Sequence, residues 1–193
     1  MIEIITQQIS KKKKDNRLMF SILSHIVEFR NGESGLHVLH INIITDLLLR
    51  KLMLKTDCNK MMNEDISLIS MASALHDIGK IAVPEEILNK PGRLTAEEFQ
   101  IIQRHSMAGA DILMDLPIDR NEPLLKTAYE ICHWHHERYD GSGYPDGLKG
   151  DAIPLSAQVV ALADVYDALT SVQVLINILS NAVKYTSLGG RIW

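Results

Sequence analysis

Histidine and acidic residues recur along this sequence in a regular order, and that order constrains the fold more than any other feature. The groups are Glu33 with His37, His76 with Asp77, His105, His135 with His136, and Asp164. They follow one another at intervals of about 30 to 40 residues, roughly one helix with its connection. A bundle in which every helix delivers a ligand to one place explains this spacing. We therefore predict a metal site at the centre of a helical bundle.

The residue types in this set indicate which metals it would hold. Glu33 and His37 are four residues apart and share one helical face. Imidazole and carboxylate donors without thiolates suit iron, manganese or zinc in a hydrolytic site. Eight ligands are too many for one ion, so we expect two or three divalent metals. The other histidines are read as ordinary surface or core residues, namely His25, His40 and His133.

Apolar residues at helical spacing predict an all-α fold without strands. A capping box formed by Thr95 and Glu98 is expected to open a helix that continues through His105. We expect the Ala-rich helix Ala157–Leu169 to be buried. Further helices are predicted from 16 to 27 and over His37–Leu54, Glu64–Leu75 and Glu122–Arg138.

Composition excludes several classes of function. With 20 Lys and Arg against 24 Asp and Glu, the chain carries a net charge of −4, which argues against binding a nucleic acid polymer through a basic face. No stretch approaches the roughly 20 apolar residues of a membrane span. Cys58 and Cys132 lie far apart without a C-x-x-C spacing, so neither a disulfide nor a thiolate metal site is indicated. A reducing cytoplasm fits this pattern.

Five segments resemble the motifs of one known family. H-D-I-G-K at 76–80 resembles the HD-x-GK signature of the HD hydrolase superfamily, and H-H-E-R-Y-D-G-S-G-Y-P at 135–145 resembles the HHE and GYP motifs of HD-GYP domains. E-S-G-L-H at 33–37, K-P-G-R-L-T at 90–95 and D-V-Y-D-A-L-T-S at 164–171 resemble the opening, central and last motifs of the same domain. The chain therefore resembles an HD-GYP domain from about residue 28 to residue 171.

This resemblance implies a bacterial signalling phosphodiesterase that hydrolyses cyclic di-GMP, or a related cyclic dinucleotide, to a linear dinucleotide or GMP. It implies a hydroxide that bridges two metals as the nucleophile, and Asp77 as the bridging carboxylate. Lys80 would hold a phosphate oxygen or stabilise the leaving oxygen; the alternative is a cation placed against a helix dipole. The implied metal ligands are Glu33, His37, His76, Asp77, His105, His135, His136 and Asp164.

The loop formed by Gly143, Tyr144 and Pro145 is expected to line the mouth of the site and contact substrate, or to offer a surface to signalling proteins. Its plain interpretation is a tight turn, and the two are compatible. A short N-terminal helix could also pair in a homodimer.

The sequence departs from the family pattern after Ser171. Basic residues that would grip the substrate are expected where Gln173 and Ile176 stand. Residues 173–186 instead resemble the N-box helix of sensor histidine kinases. We therefore divide the chain into an N-terminal helix or tail at 1–27, an HD-GYP domain at 28–171 and an N-box-like fragment at 172–193 that indicates a fusion or truncation. A second departure is His40, where the family often has an arginine.

Three functions stay open at this point. The first is an active cyclic dinucleotide phosphodiesterase, favoured by the complete ligand set. The second is a metal-binding but catalytically weak interaction or signalling module, favoured by the missing basic motif. The third is another HD-type hydrolase that acts on nucleotides, which the GYP loop disfavours.

Overall fold

The structure is a computed structural model that describes residues 18–19, 22–27, 29–30, 36–55 and 62–170. Residues 22–27 are helical. The numbered helices are α1 (His37–Lys55), α2 (Asn63–Ala72), α3 (Glu85–Leu88), α4 (Ala96–Gln103), α5 (His105–Met114), α6 (Pro123–Trp134) and α7 (Leu155–Thr170). Short 3-10 turns lie at Ser73–Leu75, Ile78–Ala82 and Gly150–Ala152. The described residues contain no strand, which confirms the all-α fold class.

The core lies where α1, α5, α6 and α7 meet. α1 contributes Ile41, α5 contributes Leu113, α6 contributes Ile131 and α7 contributes Val160, and all four are buried in one cluster. Burying an aliphatic side chain of this size stabilises the fold by about 1.5–3 kcal/mol. The helical segment 22–27 is tied to the same body, because the Ser24 hydroxyl donates a hydrogen bond to the Ala74 carbonyl. These contacts hold the helix ends that carry the metal-type side chains.

The prediction of one helix from Thr95 through His105 is wrong in one respect, because the structure has two helices there. The predicted capping box is present: the Thr95 hydroxyl accepts from the Glu98 amide at 3.2 Å, and the Glu98 carboxylate accepts from the Thr95 amide at 2.8 Å. α4 nevertheless ends at Gln103 and α5 starts at His105. The His105 ring lies at this break and donates to the Ile102 carbonyl.

Two other predicted helix ends are also corrected. α6 ends at Trp134 rather than Arg138, and α2 ends at Ala72 and continues as a 3-10 turn to Leu75. Nδ1 of His135 donates hydrogen bonds to the carbonyls of Ile131 and Cys132 in the last turn of α6. Carbonyls at a helix end have no partner within the helix, so a side chain that satisfies them stabilises the end. The sequence pattern of apolar residues carries no signal for these bonds.

The expectation that α7 is buried is correct for one face only. Ala157, Val160 and Ala163 are buried, whereas a second set of apolar side chains is more than half exposed. That set is Leu162, Val165, Tyr166 and Leu169. The helix packs on α1 and α6 with a single face, so a generally apolar sequence leaves the opposite face uncovered among the described residues.

Some predictions lie outside the described residues. They concern Glu33, Cys58, the tail 1–16 and the fragment 172–193, including the domain boundary at 171. None of the described helices combines the length and the apolar character that crossing a bilayer requires. The cytoplasmic location and the homodimer stay predictions.

Candidate metal centre

The structure brings seven of the eight expected ligands to one place, and Glu33 lies outside the described residues. They form two groups, and within each group one ligand atom from every residue lies within 4.8 Å of the others. We call the first the inner group: Asp77, His105, His135 and His136. We call the second the outer group: His37, His76 and Asp164.

Most members of these groups lie where a helix begins or ends. His37 and His105 are the first residues of α1 and α5. Asp77 separates two 3-10 turns, and His135 directly follows α6. Only Asp164 lies well inside a helix, α7. The bundle thus gathers one end of each of several helices around Asp77.

Asp77 stands between the two groups. Its Oδ1 atom is 3.2 Å from Nε2 of His105 and 3.8 Å from Nε2 of His135. Its Oδ2 atom is 3.2 Å from Nε2 of His76, in the outer group. One carboxylate oxygen therefore faces each group, as a bridging ligand requires.

The imidazole rings are held in one orientation by their outer nitrogens. Nδ1 of His76 donates to the Ser73 carbonyl at 3.0 Å, and Nδ1 of His135 donates to the Ile131 carbonyl at 2.9 Å. The His105 ring makes the equivalent bond at 2.6 Å. Because a carbonyl only accepts, the proton sits on Nδ1 and Nε2 points toward Asp77. A neutral histidine that binds a metal through Nε2 also carries its proton on Nδ1.

The geometry at the centre fits a divalent cation. Nε2 of His105 lies 3.4 Å from Nε2 of His135 and 3.1 Å from Nε2 of His136. Because Nδ1 of both His105 and His135 carries a proton, their Nε2 lone pairs face one another at 3.4 Å and repel unless a cation lies between them. Nε2 of His76 and Oδ1 of Asp77 are also buried without a hydrogen-bond partner. Buried polar atoms in this state are rare in folded proteins, and a metal would satisfy both.

The electrostatics favour the ligand forms of the inner group. Burial lowers the pKa of His136 to about 3, helped by His105, and burial lowers the pKa of His135 well below its usual range. Both rings are therefore neutral at neutral pH. Burial alone would raise the pKa of Asp77, but Lys80 and His76 outweigh it and hold that pKa well below its usual range. The carboxylate stays ionised.

His76 differs from these rings. Burial opposes its charged form, but the Asp77 carboxylate outweighs burial and raises the pKa of His76 to about 9. In the absence of metal, His76 is therefore protonated at neutral pH. Metal binding at the outer group would release this proton, because a ligand nitrogen must be deprotonated.

Lys80 lies beside the centre. Its Nζ is 2.8 Å from Oδ2 of Asp77, and its side chain is largely buried. The ammonium group thus adds positive charge next to the bridging carboxylate. The family resemblance predicts that this lysine holds a substrate phosphate oxygen or stabilises the leaving oxygen.

Gly79 allows α5 to approach the Asp77 turn. A Cβ atom at position 79 would lie 1.9 Å from the His105 carbonyl oxygen and 2.4 Å from the Gly109 amide nitrogen. Both atoms belong to the backbone and cannot move aside locally. The glycine of the H-D-x-G-K motif therefore sets the distance between His105 and Asp77.

The loop of the GYP motif packs on the inner group. The Tyr144 ring stacks on the His136 ring, with centroids 4.7 Å apart and planes inclined by 28°. A Cβ atom at Gly143 would lie 2.4 Å from the Arg138 amide nitrogen, so this glycine is required for close backbone approach. The peptide bond between Tyr144 and Pro145 is cis. The structure thus puts Tyr144 against the inner group and Gly143 against the backbone that follows His136.

Sequence reasoning gave no role to two buried carboxylates at the site. Glu137 accepts hydrogen bonds from the amides of Asp146 and Gly147 at 2.7 and 3.0 Å, which ties the GYP loop to the end of α6. Asp167 lies within 2.8 Å of Nδ1 of both His37 and His40. The only signal for either was its place inside a family motif.

Cys132, His40 and His133 belong to neither ligand group. The Cys132 thiol donates to the Leu75 carbonyl, and burial raises its pKa. His133 pairs with Asp146 at 3.1 Å and stacks on Tyr129.

Comparison with known proteins shows which family this chain resembles. A sequence model of the HD domain matches residues 22–186. The chain is 40% identical over 155 residues to the cyclic di-GMP phosphodiesterase response regulator RpfG of Xanthomonas campestris pv. campestris. The aligned region covers 80% of this chain and 38% of that protein. It is 38% identical over 168 residues to 3'3'-cGAMP-specific phosphodiesterase 2 of Vibrio cholerae, covering 86% of this chain and 30% of the relative.

A cyclic di-GMP phosphodiesterase of Thermotoga maritima is 39% identical over 153 residues, covering 79% of this chain and 39% of the relative. The chain thus spans less than two fifths of the length of each of these three relatives.

Proposed function

The chain belongs to the HD domain family, and from that premise we propose that it is a metal-dependent phosphodiesterase acting on a cyclic dinucleotide. Cyclic di-GMP is the first candidate substrate and 3'3'-cGAMP the second, because relatives are named for each. The expected product is a linear dinucleotide or GMP. The observation that carries the proposal is the convergence of the inner and outer groups on Asp77.

We propose two or three divalent ions, iron or manganese, as the cofactors. Imidazole and carboxylate donors suit these metals. Cys132, the one cysteine among the described residues, donates its thiol proton to the Leu75 carbonyl instead. When bound, such ions lower the pKa of water and neutralise charge on phosphoryl oxygens. The proposed ligands are the inner group, the outer group and Glu33, which is included on the sequence motif alone.

The protein's own residues have separate tasks in this proposal. Asp77 joins the two groups, and its low pKa keeps it ionised under working conditions. Lys80 stabilises that ionised form and offers a positive charge to the phosphate or to the leaving oxygen. Gly143, Tyr144 and Pro145 contact the substrate beside the inner group. Tyr144 is suited to this because its ring already stacks on His136.

Turnover of cyclic di-GMP by the anaerobically purified chain, loaded with iron or manganese, tests the proposal. The products are separated by chromatography as pGpG or GMP, and 3'3'-cGAMP is run in parallel. The expected result is hydrolysis that disappears in a His76→Ala, Asp77→Ala double variant. A chain that binds two or more ions and hydrolyses neither dinucleotide would sink the enzymatic proposal.

The second candidate function is a metal-binding signalling module with little activity. It is favoured by Gln173 and Ile176, which stand where basic substrate-binding residues are expected. Each missing charge-assisted hydrogen bond would weaken substrate binding by about 10- to 100-fold. Calorimetric titration with cyclic di-GMP separates the candidates: micromolar binding with turnover favours the enzyme, and metal loading without turnover favours the module.

We also propose the loop formed by Gly143, Tyr144 and Pro145 as a contact surface for signalling proteins, and the exposed Tyr139 lies just before it in the chain. A photo-crosslinker at position 139 should capture specific partners in cells, and its failure to do so would contradict this role. A homodimer through the N-terminal helix is tested by sedimentation, which should show a dimer for the full chain.

A further inference from the structure

We propose that Asp167 is a positioning residue for the outer group: its carboxylate holds the His37 ring so that Nε2 faces Asp164, and this contact sets the affinity for the ion of the outer group. The inference rests on the proposed metal centre. It concerns a residue that binds no metal in that proposal and acts through His37.

Two carboxylates of α7 lie on opposite sides of the His37 ring. Asp167 Oδ2 is 2.7 Å from Nδ1, and Asp164 Oδ1 is 3.5 Å from Nε2. Residues three apart share one face of a helix, so α7 presents both carboxylates to α1 together. Because Asp167 accepts the Nδ1 proton, Nε2 keeps its lone pair for a metal.

His105, His135 and His76 are oriented differently. Their Nδ1 atoms donate to backbone carbonyls of nearby helical turns. For His37, by contrast, the acceptor at Nδ1 among the described residues is a side chain of another helix, Asp167 of α7. The orientation of His37 therefore depends on α7 being docked against α1.

Asp167 is itself held firmly. Its side chain is only 11% exposed, and its second oxygen, Oδ1, accepts from Nδ1 of His40 at 2.8 Å. A buried carboxylate is costly unless its oxygens are hydrogen-bonded, and here two imidazoles share that role. A charged acceptor also raises the basicity of a histidine ligand, which strengthens its bond to a metal. Packing alone would not have this effect.

The test is a manganese titration of the full chain, with bound ions counted by EPR and by elemental analysis. The native chain should bind one ion at the inner group and one at the outer group. Asp167→Ala should retain the inner ion and weaken the outer ion by about 10- to 100-fold, the usual effect of removing a partner of a ligand histidine. Asp167→Asn should fall in between, because an amide oxygen still accepts from Nδ1 but carries no charge.

Two controls separate this role from a structural one. His40→Ala removes the other partner of Asp167 but leaves the contact with His37, so the outer affinity should stay within about threefold of native. Asp111→Asn removes an exposed acid from α5 and should behave as native. If His40→Ala weakens the outer ion as much as Asp167→Ala, Asp167 is a tether between helices and the inference is wrong.

The outcomes also distinguish this inference from the proposed function. A native chain that binds fewer than two ions contradicts the metal centre itself. A native chain with two ions, and an Asp167→Ala variant that binds both equally well, overturns only the positioning role. If the alanine variant does not fold, the asparagine variant decides: a loss of outer affinity of about threefold or more is expected, and unchanged affinity overturns the inference.

Discussion

The inner and outer groups use similar side chains but are built in different ways. The inner group comes from the middle of the chain, between Asp77 and His136, and the side chains of His105 and His135 are at most 1% exposed. The outer group joins His37 and Asp164 from distant helices, and these side chains are 13% and 25% exposed. Backbone carbonyls orient His105 and His135 in the first group and also His76 in the second, whereas a carboxylate orients His37.

This difference shows that the orientation of His105, His135 and His76 is fixed by local backbone structure, whereas the orientation of His37 depends on tertiary docking. The first three rings keep their orientation as long as the turns around them exist. The outer group requires α1 and α7 to pack together. We therefore expect the inner ion to be held more tightly and exchanged more slowly than the outer ion.

Removing the residue that joins the two groups should have the largest effect. Asp77→Asn takes away the negative charge that faces both groups, so the chain should bind fewer than one ion instead of two. Losing several kcal/mol of transition-state stabilisation corresponds to a fall in turnover of about 1,000-fold. Elemental analysis and turnover of the dialysed variant check this. Retention of one tightly bound ion would show that the groups are independent.

Gly79→Ala should distort the inner group although it replaces none of the ligand residues. The new Cβ would overlap the His105 carbonyl, and relief of such overpacking costs on the order of 3 kcal/mol. In a chain of this size, Tm should fall by roughly 6–12 °C. Gly109→Ala is the matched control, since its Cβ would meet its nearest neighbours at 3.1 Å or more and should cost less. Equal Tm values for the two variants would refute the close-approach argument.

Chelation should separate the two groups kinetically. During dialysis against EDTA, we expect two phases in the loss of manganese, with the outer ion leaving first because its ligands His37 and Asp164 are more exposed than His105 and His135. His37→Ala should abolish the fast phase and keep the slow one, and His105→Ala should do the reverse. A single phase in the native chain would contradict the difference between the groups.

Glu137→Ala should loosen the GYP loop and spare both groups. Two amides lose a charged acceptor, which costs about 1.5–3 kcal/mol per bond, so KM should rise by about tenfold or more while the metal content stays unchanged. Glu137→Gln keeps an accepting oxygen and should recover most of the loss. An unchanged KM in the alanine variant would show that the loop does not contact substrate.

Tyr144→Phe should have the smallest effect. Burial raises the pKa of Tyr144, so its phenol is protonated at neutral pH and can donate a hydrogen bond. The phenylalanine ring keeps the stacking on His136 and loses only that donor, which is worth about 0.5–1.5 kcal/mol. Steady-state kinetics should show a change of less than about tenfold. A complete loss of turnover would mean that the phenol takes part in the chemistry.

The sequence predicted the helical class and the grouping of the metal-type residues because both depend on spacing. It missed the helix breaks at Arg104 and His135, since these depend on imidazoles that bond to carbonyls at helix ends. The spacing of apolar residues does not indicate such hydrogen bonds. On that spacing alone, a helix that continues through the histidine is predicted as readily as one that ends there.

The roles of Asp167 and Glu137 were missed for a different reason. Each is a carboxylate whose partners come from elsewhere in the fold: Asp167 meets α1, and Glu137 meets a loop about ten residues later. Helical spacing predicts which residues share a face but not which face another element covers. Gly79 is a third case, because its necessity follows from the backbone of α5 rather than from a turn.

Anomalous diffraction from crystals of the manganese-loaded chain would show directly whether both groups hold an ion. We expect one manganese peak among Asp77, His105, His135 and His136, and a second among His37, His76 and Asp164, with Asp77 between them. A further peak beside Glu33 would agree with the sequence motif. The absence of a peak from either group would refute the two-group metal centre.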